Sequence, residues 1–329
     1  MARLVVLAAI LLTLLTLGGG AVLFYGFDRF ERDGPLTADT IVYIPRGTGF
    51  DGITRRLHEA GVIDDPTIFQ LGVRALGAAR GLRAGEYRFP ARGSMRDAVQ
   101  VLSSGETVVH RLTLPEGLMS AEVVALIAGS GALEGEAGPV PPEGALLPET
   151  YHFSRGDGRA DLIARMARDM DKVLAELWPA RAEGLPLDSP EQAVILASIV
   201  EKETALPAER PLVASVYLNR LGKGLRLQSD PTVAYGLSGG AAPLDRPLTH
   251  EDLRAPGPYN TYLNPGLPPG PIANPGRASL EAVLHPAETD YLYFVADGSG
   301  GHAFAKTLRG HNRNVAKWRK VKRRKSQEN

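Results

Sequence analysis

The stretch PEQAVILASIVEKETAL, Pro190–Leu206, is a long apolar run that ends in three consecutive charged residues. Ser189 is a suitable N-cap and Pro190 suits the first helical position, so the pattern predicts a helix beginning here. Almost nothing between positions 193 and 200 is polar, which is typical of a helix buried on most sides. Pro207 predicts its end. A core helix would therefore carry acidic groups in its last turn.

Helical geometry distinguishes the two glutamates at this helix end. Residues three, four and seven positions apart share a helix face. Glu203 shares its face with Leu196, Ile199 and Val200, whereas the face of Glu201 carries smaller side chains. We therefore expect Glu203 to be the more desolvated carboxyl, with the raised pKa that suits a general acid. The alternative is that both glutamates only end the helix and meet solvent or a nearby arginine, Arg210.

The composition is that of an ordinary globular protein with room for two domains. The chain has 329 residues, of which 44% are hydrophobic and 22% charged, and its formal net charge is zero. It contains no cysteine, which excludes disulfides, thiolate nucleophiles and thiolate metal sites. We expect neither a metal nor a cofactor. Basic charge is concentrated in Lys317–Lys325 instead of covering the body, so we expect no nucleic-acid partner.

The N-terminus predicts a membrane anchor over residues 1–28. Leu4–Tyr25 is an unbroken apolar run of about 22 residues, which is enough to span a bilayer as a helix. Arg3 precedes the run and favours a cytoplasmic N-terminus, with the remainder of the chain exported. The alternative is a cleaved signal peptide, although its apolar core would normally be shorter.

An internal repeat follows within residues 37–133. Each copy has a short strand, a turn and an amphipathic helix; the copies are Ile41–Ile63, Tyr87–Glu106 and His110–Leu133. The two longer copies align Gly47 with Gly117 and Gly61 with Gly131. In the short copy, Ser94 and Asp97 form a capping-box-like pair. The repeat predicts a packing and binding module, because no carboxylate cluster, histidine pair or phosphate loop appears in it.

The second half of the chain mixes predicted helices with polar loops. Helices are predicted at Asp161–Leu177 and Pro211–Leu221, and a hairpin at residues 291–306 followed by a basic helix or tail. The loops are rich in Asn, Thr, Tyr, Asp and Pro: Leu227–Gly236, Tyr259–Gly270 and Pro271–Gly276. Tyrosine rings stack on sugars and amides bond their hydroxyls, so these loops suit a glycan; they are equally consistent with structural turns. His302, on the hairpin, has the chemistry of a general base, but a single histidine on such a hairpin is more often structural, and we interpret it so.

Four motifs together resemble the YceG-like/MltG family of endolytic murein transglycosylases: LASIVEKET (196–204), LQSDPTVAYG (227–236), YNTYLNPGLPPGPIANPG (259–276) and YLYFVADGSGGHAF (291–304). They follow the family's order, and the resemblance runs from the N-terminal anchor to about His311. Members are single-pass inner-membrane proteins with a periplasmic catalytic domain. They cleave nascent peptidoglycan strands internally, between N-acetylmuramic acid and N-acetylglucosamine, and leave 1,6-anhydro ends, which limits strand elongation. The resemblance implies the same location and activity here.

The resemblance also implies a fold and a site. The fold class is α+β: the anchor, a LysM-like module over residues 37–133, a lysozyme-related catalytic domain over residues 145–315 and a basic tail over residues 316–329. The family's catalytic glutamate corresponds to Glu203, and SIVEKETA resembles the acid-bearing helix end of lysozyme-like soluble transglycosylases. Substrate-binding roles are predicted for Gln228, Asp230, Tyr259, Asn260, Thr261, Tyr262, Glu149 and Tyr151.

A transglycosylase of this kind needs one carboxyl, whereas a glycoside hydrolase usually needs two. Asp230 is the nearest second carboxylate by motif, and we expect it to order the site. The alternatives are a muramidase-type hydrolase and a non-catalytic peptidoglycan-binding scaffold of the wall-synthesis machinery. A phosphoryl-transfer enzyme is disfavoured, because no phosphate loop is present. The expected partners are peptidoglycan strands and the inner membrane, with peptidoglycan synthases as candidates.

Overall fold

The computed structural model describes residues 2–328, with side chains described as far as residue 324. The chain divides into two compact units. The first comprises Met1–His110, Ala132–Glu134 and His152–Asp157, and the second comprises Arg111–Gly131, Gly135–Tyr151 and Gly158–Asn329. Helices predominate and the strands are short, which confirms the predicted mixed α+β class.

The first unit begins with α1 (Ala2–Glu31) and continues through β1 (Thr40–Ile44), α2 (Phe50–Glu59), α3 (Pro66–Ala75), β2 (Gly85–Phe89) and α4 (Met95–Ser104). β1 and β2 are antiparallel, with Thr40 opposite Phe89 and Ile44 opposite Gly85. The core between this sheet and the helices is apolar; its most deeply buried side chains include Ile44, Leu57, Phe69, Tyr87 and Leu102. α3 lies between the first and the second predicted copy of the repeat.

The N-terminal helix α1 is the one helix in the described chain that is long and apolar enough to cross a membrane, although a signal sequence would have the same properties. Its apolar side chains are exposed along the whole run. The hydroxyls of Thr13 and Thr16 donate to helix carbonyls, those of Ala9 and Thr13 respectively, so they need no water. At the other end, Phe30 is buried in the core of the first unit.

The predicted strand–turn–helix repeat is confirmed as local structure. β1 leads to α2, β2 to α4, and β3 (Val109–Thr113) to α5 (Ser120–Ala128). Gly47 and Gly117 both have left-handed backbone, with φ of 79° and 77°. The capping box forms at α4, where Ser94 and Asp97 each bond the other's backbone N–H. The last glycine pair does not match: Gly61 is left-handed whereas Gly131 is not, because α5 already ends before Gly129.

The second unit is mainly helical. After β4 (Thr150–Ser154), which pairs with β3, come α6 (Arg159–Leu177), α7 (Pro190–Glu203), α8 (Arg210–Gly222), α9 (Asp230–Ser238) and α10 (Arg277–Leu284). The predicted hairpin is confirmed as β5 (Tyr293–Ala296) and β6 (His302–Ala305), and the basic segment forms α11 (Leu308–Glu328). The predicted helices correspond to α6 and α8.

α7 is the buried helix predicted from the opening stretch. It contacts α8, α9 and α10, and Leu196, Ile199 and Val200 are fully buried in the apolar core of the second unit. The Ser189 hydroxyl caps its N-terminus. The helix ends at Glu203, earlier than Pro207 would require, because Thr204 is already extended. Glu203 is therefore the last residue of the helix.

One predicted loop is wrong: residues 230–238 form α9. Asp230 and Pro231 occupy its first turn, where the helix dipole favours a carboxylate and where a residue needs no N–H for the helical hydrogen bonds. The proline that suggested a loop is therefore the start of a helix.

Gly144 gives a test of how the 135–145 connection packs on α7. Its φ is +76°, and a Cβ there would lie 2.7 Å from both Pro271 Cγ and Val194 Cγ1. Gly138 has a similar φ of +81° but open space around it. Both alanine variants strain the backbone by about 1 kcal/mol, and only Gly144→Ala adds overpacking of roughly 1–3 kcal/mol. Calorimetry of the detergent-solubilised chain should show Gly144→Ala unfolding at a lower temperature than Gly138→Ala; equal losses would contradict the packing.

Candidate active site

Glu203 lies at the wall of a cleft of about 450 Å³ in the second unit. The helix α7 carries its carboxyl to this position, and α8, the hairpin and the start of α11 supply much of the rest. The lining residues are Glu203, Val216, Tyr217, Arg220, Leu227, Gln228, Asp230, Tyr262, Leu292, Tyr293, Phe294, Val295, Leu308 and His311. One wall is thus apolar and aromatic, while polar groups surround the carboxyl.

Two hydroxyls hold the Glu203 carboxyl. Tyr217 Oη on α8 and Ser229 Oγ before α9 both donate to Oε1, each at 2.6 Å. Glu203 Oε2 makes no hydrogen bond with the residues of the described range. Because Oε1 is already accepting two protons, the acidic proton of the neutral carboxyl belongs on Oε2.

The pKa of Glu203 is raised above its ordinary value. Burial is the largest cause, since desolvation disfavours the charged form, and the negative charge of Asp230 adds to it. The hydrogen bonds from Ser229 and Tyr217 and the charge of His302 oppose the shift without cancelling it. The protein therefore keeps this carboxyl protonated at pH values where an exposed glutamate is ionised.

Glu201 and Glu203 differ in the groups that compensate the burial of their carboxyls, and not in exposure to solvent. The Glu201 side chain is only 5% exposed, so the smaller side chains on its helix face do not leave it in solvent. Its Oε1 lies 3.1 Å from an Arg210 nitrogen, and its Oε2 accepts the N–H of Gly276 at 3.0 Å. An opposite charge and a backbone donor thus compensate the burial of this side chain. Glu201 therefore ties α7 to α8 and to the start of α10, whereas Glu203 has only neutral donors.

Asp230 and Tyr262 line the same cleft as Glu203. The Tyr262 hydroxyl donates to Asp230 Oδ1 at 2.6 Å, and burial together with this carboxylate raises the pKa of Tyr262. Asp230 also borders a second cleft of about 320 Å³, together with Met119, Tyr235 and Ile272. It therefore stands where the two clefts meet, with its carboxylate fixed by tyrosine.

Gln228 lines the cleft with strained backbone. Its φ of 55° is in the left-handed region, which is uncommon for residues other than glycine. Its backbone N–H donates to the Thr261 carbonyl at 3.1 Å, and its side-chain oxygen accepts from Arg220. The guanidinium of Arg220 also donates to the carbonyls of Arg226 and Leu292. These bonds offset the strain and fix the chain just before Ser229.

The polar side chains of Asn260 and Thr261 are buried in hydrogen bonds of their own loop and its neighbour. Asn260 Nδ2 donates to the carbonyls of Leu253 and Ala255. Thr261 Oγ1 accepts the N–H of Ser229 at 3.0 Å and shares a hydrogen bond with Thr232. These two residues therefore shape the segment that presents Ser229. Their contacts agree with the alternative prediction for such loops, that they are structural turns.

The remaining predicted substrate residues do not line the Glu203 cleft. Tyr259 packs against Tyr235, with ring centroids 4.8 Å apart and ring planes inclined by 57°. Tyr151 is buried and donates to the Leu147 carbonyl at 3.0 Å. Glu149 is exposed and accepts the N–H of Thr150. Substrate roles for these three stay predictions.

His302 is engaged with a carboxylate of its own. Its Nδ1 lies 2.7 Å from Glu209 Oε2, and its backbone N–H donates to Glu209 Oε1. Hydrogen bonding and the charge of His302 lower the pKa of Glu209 despite its partial burial. This pairing agrees with the structural interpretation of His302. No group of carboxylates and histidines suited to a metal ion occurs among the residues that the structure describes.

Sequence reasoning missed Tyr217 and Ser229, the two residues that contact the Glu203 carboxyl. Ser229 stands between the predicted residues Gln228 and Asp230, so the motif LQSDPTVAYG (227–236) already contained this serine. Tyr217 is the bulky residue with a polar tip in the largely apolar segment PLVASVYL of α8, and a buried tyrosine hydroxyl needs a partner. That requirement was the available signal.

The chain is similar in sequence and in structure to known proteins. A protein named endolytic murein transglycosylase from Bacillus subtilis is 34% identical over 335 residues, covering 91% of this chain and 90% of that protein. One with the same name from Streptococcus pneumoniae is 28% identical, covering 93% of this chain and 63% of that protein. The crystal structure of a yceG-like protein from Listeria monocytogenes aligns with a TM-score of 0.51 and 31% identity, over 84% of this chain and 99% of that chain.

The sequence model of the YceG-like family matches residues 42–317, which include the cleft, α7 and all four motifs. The chain belongs to the YceG-like family.

The two glutamates give a paired prediction. The pKa of Glu203 is raised in the folded state above its ordinary 4.5, so the stability that its protonation contributes is lost as pH rises from there through the folded pKa. Glu203→Gln cannot ionise and should gain stability relative to the unmodified chain between pH values of about 5 and 8. The Glu201→Gln variant should instead lose about 1.5–3 kcal/mol of unfolding free energy, because the substitution weakens the hydrogen bond to the Arg210 cation. Calorimetry at both pH values measures the stability of each variant relative to the unmodified chain. If both variants changed stability in the same direction, the different environments assigned to the two glutamates would be wrong.

Proposed function

We propose that this chain is an endolytic murein transglycosylase in which Glu203 is the sole acid/base catalyst. The observation that carries the proposal is the buried Glu203 carboxyl at the cleft wall, held by Tyr217 and Ser229 and kept protonated by burial and by Asp230. The family and the names of the relatives supply the substrate class, the glycan strand of peptidoglycan.

In the first step Glu203 acts as an acid. Its Oε2 proton passes to the glycosidic oxygen between N-acetylmuramic acid and N-acetylglucosamine, and the bond from that oxygen to C1 breaks. Positive charge develops at C1 of the muramic residue. The carboxylate left on Glu203 is stabilised by the hydroxyls of Tyr217 and Ser229, whose hydrogen bonds to Oε1 strengthen as charge appears there.

In the second step the same residue acts as a base. The Glu203 carboxylate takes the proton of the muramic C6 hydroxyl, and that oxygen bonds to C1 to give a 1,6-anhydro end. Glu203 is again protonated, so no atom is gained or lost by the protein. Water is not the acceptor, and a second carboxylate to activate it is not needed.

Asp230 has an electrostatic part in this scheme. Its charge raises the pKa of Glu203, and its bond to Tyr262 fixes it at the junction of the two clefts. The presence of a carboxylate in the same cleft is also what favours the second candidate, a muramidase in which Asp230 serves as base or nucleophile. The products distinguish the two functions, because only the transglycosylase leaves anhydro ends.

The proposal extends to the organisation of the chain. Residues 1–28 anchor it in the inner membrane, residues 37–133 form a LysM-like glycan-binding module, residues 145–315 form a lysozyme-related catalytic domain in the periplasm, and residues 316–329 are a basic tail. The strand–turn–helix repeat supports the module, and the apolar helix α1 supports the anchor. Cleavage next to the membrane would limit elongation of nascent strands, with peptidoglycan synthases as candidate partners.

Digestion of purified glycan strands tests the function. The detergent-solubilised chain should release fragments with 1,6-anhydro ends, detected by mass spectrometry. Glu203→Gln should lower the rate by about 10²–10⁴-fold, the usual contribution of an acid/base group. Glu191→Gln is the matched control, because Glu191 is exposed on the first turn of the same helix. Reducing ends alone would favour the muramidase, and binding without cleavage under any condition would favour the scaffold.

The pH dependence of cleavage tests whether the hydroxyls of Tyr217 and Ser229, here called the hydroxyl cradle, set the pKa of Glu203. The acid form of Glu203 is required, so activity should fall as pH rises through its pKa. The bond from Ser229 lowers that pKa, and Ser229→Ala should therefore move the falling limb upward, on the order of one pH unit for a loss of about 1.4 kcal/mol. Ser215→Ala is the control, since Ser215 is a buried hydroxyl of α8 that bonds Thr289 instead. If the falling limb of the pH profile did not move in Ser229→Ala, the bond from Ser229 would not lower the pKa of Glu203 as proposed.

A further inference from the structure

The short helix α3 has more apolar surface than its core needs. Phe69 and Val73 are fully buried in the first unit. On a neighbouring face, Leu71 is 60% exposed, and Leu76, which caps the helix, is 45% exposed. Thr67 and Arg74 lie four and three residues from Leu71, so the polar side of the helix borders this leucine. Ile68, Gly72 and Ala75 continue the apolar stripe between the two leucines, which lie near its edges and are exposed in the described part of the unit.

That surface is continuous with the apolar run of α1. An apolar groove of about 640 Å³ runs between the two helices, lined by Leu23, Phe24 and Phe27 of α1 and by Ile68, Leu71 and Leu76. Gly72 allows the helices to approach closely, because a Cβ there would lie 2.3 Å from Cε2 of Phe30. The face of α3 is therefore placed beside the end of α1 by a tight contact.

The length of α1 sets the depth of this groove in a bilayer. Residues 4–27 carry no charge and extend roughly 36 Å as a helix, at about 1.5 Å per residue. The hydrocarbon core of a bilayer is about 30 Å thick. If α1 spans it, Phe24 and Phe27 lie at the hydrocarbon–headgroup boundary. Leu71 and Leu76 line the same groove as these rings, so they lie at the same level.

Charged residues begin immediately beyond this level. Arg29 and Arg32 follow the apolar run, and both contact Asp64, at 2.8 and 3.2 Å. Arg96 borders the groove, bonds Glu31, and places its guanidinium 5.8 Å from the centre of the Phe30 ring. Apolar surface, aromatic rings and then arginines follow one another along the helix, which is the order found at membrane interfaces.

We propose that the exposed face of α3 contacts the membrane, and that acyl chains of the leaflet from which α1 emerges fill the α1–α3 groove. The proposal commits to lipid because the groove continues the surface that α1 itself exposes to lipid. No loop separates α1 from the first unit, since Phe30 belongs to both the helix and the core. The first unit is thus held against the bilayer surface and does not swing on a tether. This inference rests on the proposed anchor, and its test separates the two.

The absence of cysteine makes a site-specific test simple. Three single-cysteine variants of the full-length chain, Leu71→Cys, Val109→Cys and Leu14→Cys, carry an environment-sensitive fluorophore in reconstituted nanodiscs. The three side chains are matched at 60%, 62% and 61% exposed, and they lie on α3, on β3 and in the middle of α1. Quenching by spin-labelled lipid reports contact with acyl chains, and quenching by aqueous iodide reports contact with water. Cleavage activity or thermal stability of each labelled chain checks that it is folded.

Labels at positions 71 and 14 should be quenched by the labelled lipid, position 71 most strongly with spin labels near the headgroup and position 14 with deep ones, while position 109 responds to iodide. A label at position 71 that iodide alone quenches would overturn the proposal, as would one shielded from both quenchers, which would indicate a second copy of the chain on this face. If position 14 also escapes lipid quenching, the anchor itself is wrong. If position 14 is quenched and position 71 is not, only the contact of α3 fails.

Discussion

The site depends on one buried carboxyl that is hydrogen-bonded but not neutralised. Glu203 Oε1 accepts two hydroxyl protons, and neither donor carries a charge. Hydroxyls reduce the cost of burying the ionised form without removing it, so the neutral acid remains favoured by desolvation. A guanidinium at the same place would stabilise the carboxylate and remove the proton that the proposed catalysis needs. The nearby Arg210 instead pairs with Glu201 and Glu116.

Much of the polar chemistry of the loops supports this carboxyl indirectly. Asn274, predicted in a sugar-binding loop, is fully buried and bonds the backbone of Leu118 and Leu146. Thr261 fixes the backbone of Ser229, and Arg220 holds Gln228 in a strained conformation. Buried amides and hydroxyls of this kind must be paired, and here they are paired with main-chain groups. The loops are thereby rigid enough to keep Ser229 Oγ at 2.6 Å from its acceptor.

In the first unit, a helix suited to a membrane is also part of a folded core. α1 contributes Phe30 to the core and packs against α3 across Gly72. Because the apolar run and the core share one continuous helix, insertion of α1 would also orient the unit at the bilayer surface. Such placement suits an enzyme whose proposed substrate is a strand newly made at the membrane.

The sequence by itself determined the local features: a buried α7 capped by Ser189, the capping box at Ser94, the apolar run of α1, and the motifs that define the family. These depend on periodicity and on neighbours a few residues away, which the sequence displays. It also predicted Glu203, ahead of Glu201, as the candidate general acid. It missed α9, since the same Asp-Pro pair occurs in turns and in first helical turns.

The tertiary structure decided what distinguishes those glutamates. Glu201 is buried, as its position on an apolar helix suggests. Its partners Arg210 and Gly276 approach it only when α8 and α10 pack on α7. Tyr217 and Ser229 reach Glu203 from positions 14 and 26 residues along the chain. Glu149 and Tyr151, close to a proline turn in the sequence, do not line this cleft. Desolvation and its compensation depend on the whole set of surrounding groups, and that set exists only after distant segments have packed together.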